Sequence, residues 1–249
     1  MGYFVVLLFV FVLWVFLKSN APKKHFCETE MKEEWKIFLV EHVGFYKRLN
    51  DIDKYKFNLR VIRFLNETRI IGYGDVEVSD NDKILVGASA IIPIFNFPEW
   101  EYKFINEVIL YDDYIKLDGS EDFVCGYVGT GPMEGRMVLV KSALYHGFAN
   151  NKDKKNTGIH EFMHIIDKQD GLIDGVPSVL MDKTDIGLWL EMIRIKSAEI
   201  SNRKTNINNY ALTNRAEFLA VVSEYFFERP ELMKTKHPEL YQILKETFS

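Results

Sequence analysis

The sequence predicts an α+β fold with a helical N-terminal part, preceded by one N-terminal transmembrane helix. Three observations carry this. Apolar residues recur at helical spacing over residues 31–66 and again in the last third of the chain. Short β-branched runs fill the middle, from Thr68 to Val140. An uncharged apolar run opens the chain.

The opening segment, MGYFVVLLFVFVLWVFLKSN, holds no charged residue from Gly2 to Leu17. As a helix it reaches about 24 Å at 1.5 Å per residue, slightly short of a hydrocarbon core of about 30 Å. A cleaved signal would need a basic leader and a small-x-small cleavage site, and neither stands here. Lys18, Lys23 and Lys24 all follow the run. The positive-inside rule then turns the rest of the chain toward the cytoplasm. The expected organisation is a membrane anchor at 1–20 and one domain over 28–249, a single-pass membrane protein with its catalytic domain facing the cytoplasm.

Residues 31–66 predict two helices. Trp35, Phe38, Leu39, His42, Val43 and Tyr46 line the first, and Phe57, Val61, Phe64 and Leu65 the second. The break falls near Leu49-Asn50-Asp51, with Asp51 as N-cap. RIIGYGDVEV, NEVILYDDYI, DFVCGYV and RMVLV read as strands. ILVGASAIIPIF fits either a strand or a tightly packed helix, because periodicity does not separate the two. HGFANNKDKKNTG reads as a polar, lysine-rich loop, and Asn156 or Thr157 caps the helix that follows it. That helix ends near Asp170-Gly171. Further helices are expected over 184–200, from Asn214 to Glu228 where Arg229-Pro230 stops it, and in PELYQILKETF.

Composition narrows the function. Of the 249 residues, 47% are hydrophobic and 27% charged, as in a folded globular protein. A net charge of −5 leaves no broad basic surface for nucleic acid. Cys27 and Cys125, with no CxxC, are read as reduced thiols.

The chemistry concentrates in IHEFMHIID, residues 159–167. His160 and His164 are four apart, roughly 40° from each other on one helix face, so both can grip one ion. Ile159, Phe162, Met163 and Ile166 form the opposite, packing face. Glu161 lies where its carboxylate reaches a water made acidic by Zn2+ and takes its proton. Asp167 falls on the histidine stripe and can accept an imidazole N–H. Zinc needs a third protein ligand. A histidine six residues past the second is ruled out, since Asp170 stands there, and Asp170 itself is a weak ligand candidate. In YALTNRAEFLAVVSEYFFERPEL, Glu217 and Glu224 sit among strong apolar residues, and spacing does not choose between them. Glu228 reads as part of a solvated face. His25, His42, His146 and His237 have no spacing partners and are read as structural or solvated.

HEFMHIIDKQDG, the following DGVP, and Y-x6-E inside YALTNRAEFLAVVSEYFFERPEL together resemble the Mlc titration factor A family of zinc peptidases. That family is itself related to the catalytic domain of lethal-factor-type toxins. The resemblance covers nearly everything after the first twenty residues and implies a zincin-like metallopeptidase domain. It implies metal ligands at His160, His164 and Glu217, a general base at Glu161, and an oxyanion-steadying phenol at Tyr210. Glu224 then becomes a supporting carboxylate. The expected function is a membrane-anchored zinc metallopeptidase acting on a peptide or protein substrate. The competing reading is a non-enzymatic protein that sequesters a transcription factor and keeps a structural zinc site, its partner a protein regulator. A third is a metal-dependent hydrolase of non-peptide amides. Soluble relatives that bind a sugar-responsive repressor have no anchor, so that partner is not transferred to this chain.

Overall fold

The computed structural model describes residues 28–116, 123–150 and 153–249. Three helices come first: α1 (Glu33–His42), α2 (Gly44–Arg48) and α3 (Asp51–Glu67). The first predicted helix is thus two, because Val43 adopts an extended backbone between them. The cap of α3 is Asn50, not Asp51: the Asn50 side chain accepts the Asp53 N–H at 2.9 Å. Asp51 instead lies in the first turn, where the helix dipole favours an acid.

The ambiguous apolar segment is a helix, α4 (Asp80–Ile91), which runs into a 3-10 turn at Ile92–Ile94. Ser79 and Asp82 close a capping box at its start. Its residues from Ile84 to Ile91 are buried, Gly87 and Ser89 included, so no polar face betrays its period.

Four strands form one sheet in the order β1 (Arg69–Gly72), β2 (Glu107–Tyr111), β6 (Arg136–Val140), β5 (Gly126–Val128). The first three run parallel, and β5 is antiparallel to β6. Val108, Leu110 and Met137 to Val140 are buried, as expected for central strands covered on both faces. The expected continuation of β1 through DVEV does not form, because Gly74 turns the chain with φ +58°. β3 (Ile115–Lys116) and β4 (Phe123–Val124) make a separate two-residue pair.

After β6 comes α5 (Lys141–Ala149), which the sequence reading placed partly in a loop. Its signal is weak: Leu144 and Phe148 are buried one turn apart, and no side chain caps it. Then follow α6 (Thr157–Asp167), α7 (Ile186–Ser201), α8 (Arg215–Glu228), α9 (Pro230–Lys236) and α10 (Pro238–Thr247). Pro230 and Pro238 each open a helix, so the C-terminal end holds two short helices where one was expected. Helix α6 lies at the centre, packed on α4, α8 and β5. Its approach to α4 needs Gly158, where an added Cβ would stand 2.1 Å from Ser89 Oγ.

The expected localisation is corrected. No helix among the described residues is long and apolar enough to cross a membrane. The longest, α3 at 17 residues and α7 at 16, fall short of the roughly 20 apolar residues a span needs and carry charges throughout. The single-pass membrane placement and the membrane as a partner are therefore not supported. The expected anchor at 1–20 lies outside the described residues.

Glu228 also departs from expectation. It is not on a solvated face: the Asn156 side-chain amide donates to its Oε1 at 3.0 Å. Burial pushes the carboxyl up to about 7, Asn156 and Arg48 pull it down, and Glu224 and Asp153 add to the rise. The folded chain thus holds this proton more tightly than the unfolded chain, whose ordinary value is 4.5. Stability from this group is full below pH 4.5 and is lost as pH rises through 7. Glu228→Gln has no charge to bury. It should be more stable than the parent at pH 8, by on the order of 1–3 kcal/mol, with the gap closing at pH 5. Thermal melts at the two pH values check this, and a gap of equal size at both would overturn it.

Candidate metal centre

Helix α6 begins at Asn156, whose side-chain oxygen accepts the Ile159 N–H at 3.1 Å. Ile159, Phe162, Met163, Ile165 and Ile166 are wholly buried, so the predicted packing face holds. This fixes the helix's rotation and turns His160 and His164 toward α8. Helix α8 begins at Asn214, which caps it by accepting the Glu217 N–H at 2.9 Å. Glu217 therefore sits in the first turn of α8, opposite the two imidazoles.

The three side chains converge. His160 Nε2 is 3.0 Å from Glu217 Oε2, His164 Nε2 is 3.5 Å from Glu217 Oε1, and the two Nε2 atoms are 3.2 Å apart. Among the described residues this is the group of metal-ligand type whose donor atoms all lie within 4.8 Å of one another. Glu224, two turns further along α8, approaches the other side of the His160 ring, with Oε1 2.7 Å from Nδ1. With Nδ1–H donated to Glu224, Nε2 is the nitrogen whose lone pair the neutral ring offers on the side of His164 and Glu217. Burial would raise the Glu217 carboxyl, but hydrogen bonds from both histidines outweigh it and hold it at about 2. Burial opposes charge on His160, yet Glu224 and Glu217 together raise its ring well above the usual range.

Glu161 is 5% exposed. Burial raises its carboxyl, and the His160 and His164 rings offset part of the rise. Strand β5 presses against it: an added Cβ on Gly126 would stand 2.9 Å from Glu161 Oε1. The side chain is therefore clamped between strand and helix, with its acid end in the cleft. Tyr210 stands on a 3-10 turn, Asn209–Leu212, fixed by the Asn208 side chain accepting the Tyr210 N–H at 3.0 Å. Its ring is half exposed, with its centroid 6.0 Å from that of His160. These groups line a cleft of about 550 Å³, with Val128, Ile173 and Arg215 on its walls. A second hollow of about 400 Å³ adjoins it past Tyr210 and contains Cys125, Lys155 and Thr157.

Two carboxylates fall elsewhere than expected. Asp167 is buried and accepts the Gly175 N–H with both oxygens, at 3.1 and 3.0 Å. It holds a tight turn in place of an imidazole, and burial pushes its carboxyl to about 6. Asp170 is exposed and accepts the Leu172 N–H at 2.9 Å, so it is not brought to the histidines. His146 is exposed on α5, and His237 is buried against Asn206, 2.7 Å away. His42 is exposed against Phe38, and His25 lies outside the described residues.

Sequence reasoning missed Gly126 and the contacts of Asn156. The glycine in DFVCGYV was a readable sign, since glycine within a strand often marks a close backbone approach. Nothing local marks Asn156 as more than a cap, because its partners lie 68 and 72 residues away.

A curated relative from Synechocystis sp., an uncharacterized protein, is 24% identical over 91% of this chain and 87% of its own length. Mlc titration factor A of Pectobacterium atrosepticum is 24% identical over 80% of both chains. Mlc titration factor A of Serratia proteamaculans is 29% identical over 55% of this chain and 57% of its own. A family model described as glucose-regulated metallo-peptidase M90 matches residues 18–249. With two imidazoles and a distal carboxylate meeting beneath an open cleft, and nearly the whole chain matched, the protein belongs to the glucose-regulated metallo-peptidase M90 family.

Proposed function

We propose that the chain is a zinc-dependent peptidase whose metal ligands are His160, His164 and Glu217. The observation that carries this is their spacing. Tetrahedral zinc with bonds of about 2.1 Å separates its ligand atoms by about 3.4 Å; here His160 Nε2 stands 3.2 Å from His164 Nε2 and 3.0 Å from Glu217 Oε2, while His164 Nε2 is 3.5 Å from the other carboxylate oxygen, Oε1. Two nitrogen lone pairs and one carboxylate oxygen are the donor set of catalytic zinc sites. When bound, zinc supplies Lewis acidity that makes water acidic and polarises a carbonyl.

The chain's own residues then divide the work. Glu161 takes the proton of the attacking water and returns it to the leaving amine. Its raised affinity for a proton and its clamped position suit both halves of that transfer. Tyr210, at the cleft wall beside His160, is placed to donate its phenol O–H to the oxyanion. A peptide is favoured over a small amide by strand β5. Cys125 O accepts from Val140 N–H and Gly129 N–H donates to Arg136 O, so the alternate residues Gly126 and Val128 turn their main-chain groups away from β6, toward the cleft. An extended peptide can pair with that open edge.

The second reading is the binding of a protein regulator, favoured by relatives named Mlc titration factor A. Glu161→Gln separates the two. It should retain zinc and lower peptide hydrolysis by at least about a hundredfold, while any regulator binding persists. Unchanged hydrolysis in this variant would sink the catalytic assignment. Tyr210→Phe should lower kcat by roughly ten- to a thousandfold with little change in KM, and steady-state kinetics on one peptide check it. Elemental analysis of the purified chain should find one zinc per molecule, and His164→Ala should lose it.

A further inference from the structure

We propose that Asn156 is a positioning residue, which locks the metal helix to α8 in the register the site requires. This inference rests on the zinc reading above. Asn156 is wholly buried and spends four hydrogen-bonding groups on four partners. Its side-chain oxygen accepts Ile159 N–H at 3.1 Å, and its side-chain amide donates to Glu228 Oε1 at 3.0 Å. Its main-chain N–H donates to Glu224 Oε2, and its carbonyl accepts His160 N–H at 2.9 Å. Glu224 uses its other oxygen on His160 Nδ1. One carboxylate thus spans the backbone at 156 and the ring at 160.

The residue type is what needs explaining. Serine, threonine or aspartate caps a helix as well as asparagine does. Among good caps, only asparagine offers an acceptor to Ile159 and an amide donor to a carboxylate at the same time. The demand for that donor comes from Glu228, on the last turn of α8. From the other side, α5 backs the residue: a Cβ on Gly147 would stand 2.9 Å from Asn156 Cα. Asn156 is thus held between α5 and α8. The hydrogen bond its side-chain amide donates to Glu228 keeps its main-chain N–H on Glu224, and Glu224 in turn holds the His160 ring through Nδ1. The lock acts on the metal through two intermediaries, not by contact.

The test reverses the polarity of the lock. In Asn156→Asp the cap oxygen remains, but a carboxylate faces Glu228. In the double variant Asn156→Asp with Glu228→Gln, the donor and acceptor are exchanged and the hydrogen bond is restored. Zinc affinity is read by competition with a chromophoric chelator at pH 8 on the full chain. The single variant should bind zinc about 10- to 100-fold more weakly, and the double variant should recover most of that loss. A purely structural cap predicts a changed melting temperature with unchanged zinc affinity. Parental affinity in Asn156→Asp, or no recovery in the double variant, overturns the proposal. If Asn156→Asp does not fold, Asn156→Ser, which keeps a cap oxygen and lacks the amide, replaces it, and parental affinity there overturns the proposal equally. A parent chain that binds no zinc sinks the metal reading itself, and this role with it.

Discussion

The structure turns on one electrostatic constraint. Two imidazole nitrogens stand 3.2 Å apart, and a partly buried carboxylate touches both. With Nδ1–H of His160 donated to Glu224, the neutral ring offers its Nε2 lone pair to its neighbours. Lone pairs and a carboxylate held together in a partly dry cleft repel one another unless positive charge lies between them. Two places for that charge exist: a proton on the rings, which the raised pKa of His160 records, or a metal ion. The proton solution needs only one nitrogen and one oxygen. The convergence of three donors on one point is better matched by an ion that takes all of them.

Holding this cluster together falls to the apolar side of α6. Ile159, Phe162, Met163, Ile165 and Ile166 are each wholly buried. Side chains of that size contribute about 1.5–3 kcal/mol apiece when fully buried. That burial fixes the rotation of α6 and so the side on which the polar groups gather. Two absent side chains let the elements close up. Gly158 brings α6 against Ser89 of α4, and Gly126 brings β5 against Glu161. The first sets the depth of the helix, and the second sets where the Glu161 carboxylate stands.

The motif helix, its packing face, its cap and its end were all legible, because each depends on residues within a few turns. So were the central strands and the core of α8. The errors share a physical origin. The segment around Gly87 hid its helical period because all its faces are buried. Residues 146–149 read as loop because they hold a glycine and no cap, although Leu144 and Phe148 anchor them. Asp167 falls on the histidine stripe by spacing, yet its carboxylate serves the Gly175 turn, a tertiary contact that helical geometry does not encode. Glu228 looked solvated because its partner Asn156 is distant in the chain. Spacing alone left Glu217 and Glu224 equal, whereas the fold gives each a different nitrogen of His160.

That division of labour between the two glutamates follows from their helix. They are seven residues apart, two turns of α8, and so lie on nearly the same face. Both meet the one ring that lies across that face. The carboxylate nearer the helix start is held at about 2 by hydrogen bonds from both histidines, against the effect of burial, and stays charged. The deeper one spends its two oxygens on an imidazole Nδ1 and a main-chain N–H, on the side of the ring away from His164. An exchange of roles would demand a different rotation of α8, which Phe218, Leu219, Val222 and Tyr225 forbid by packing on its other side. Which carboxylate meets which nitrogen of His160 thus follows from the hydrophobic face of α8.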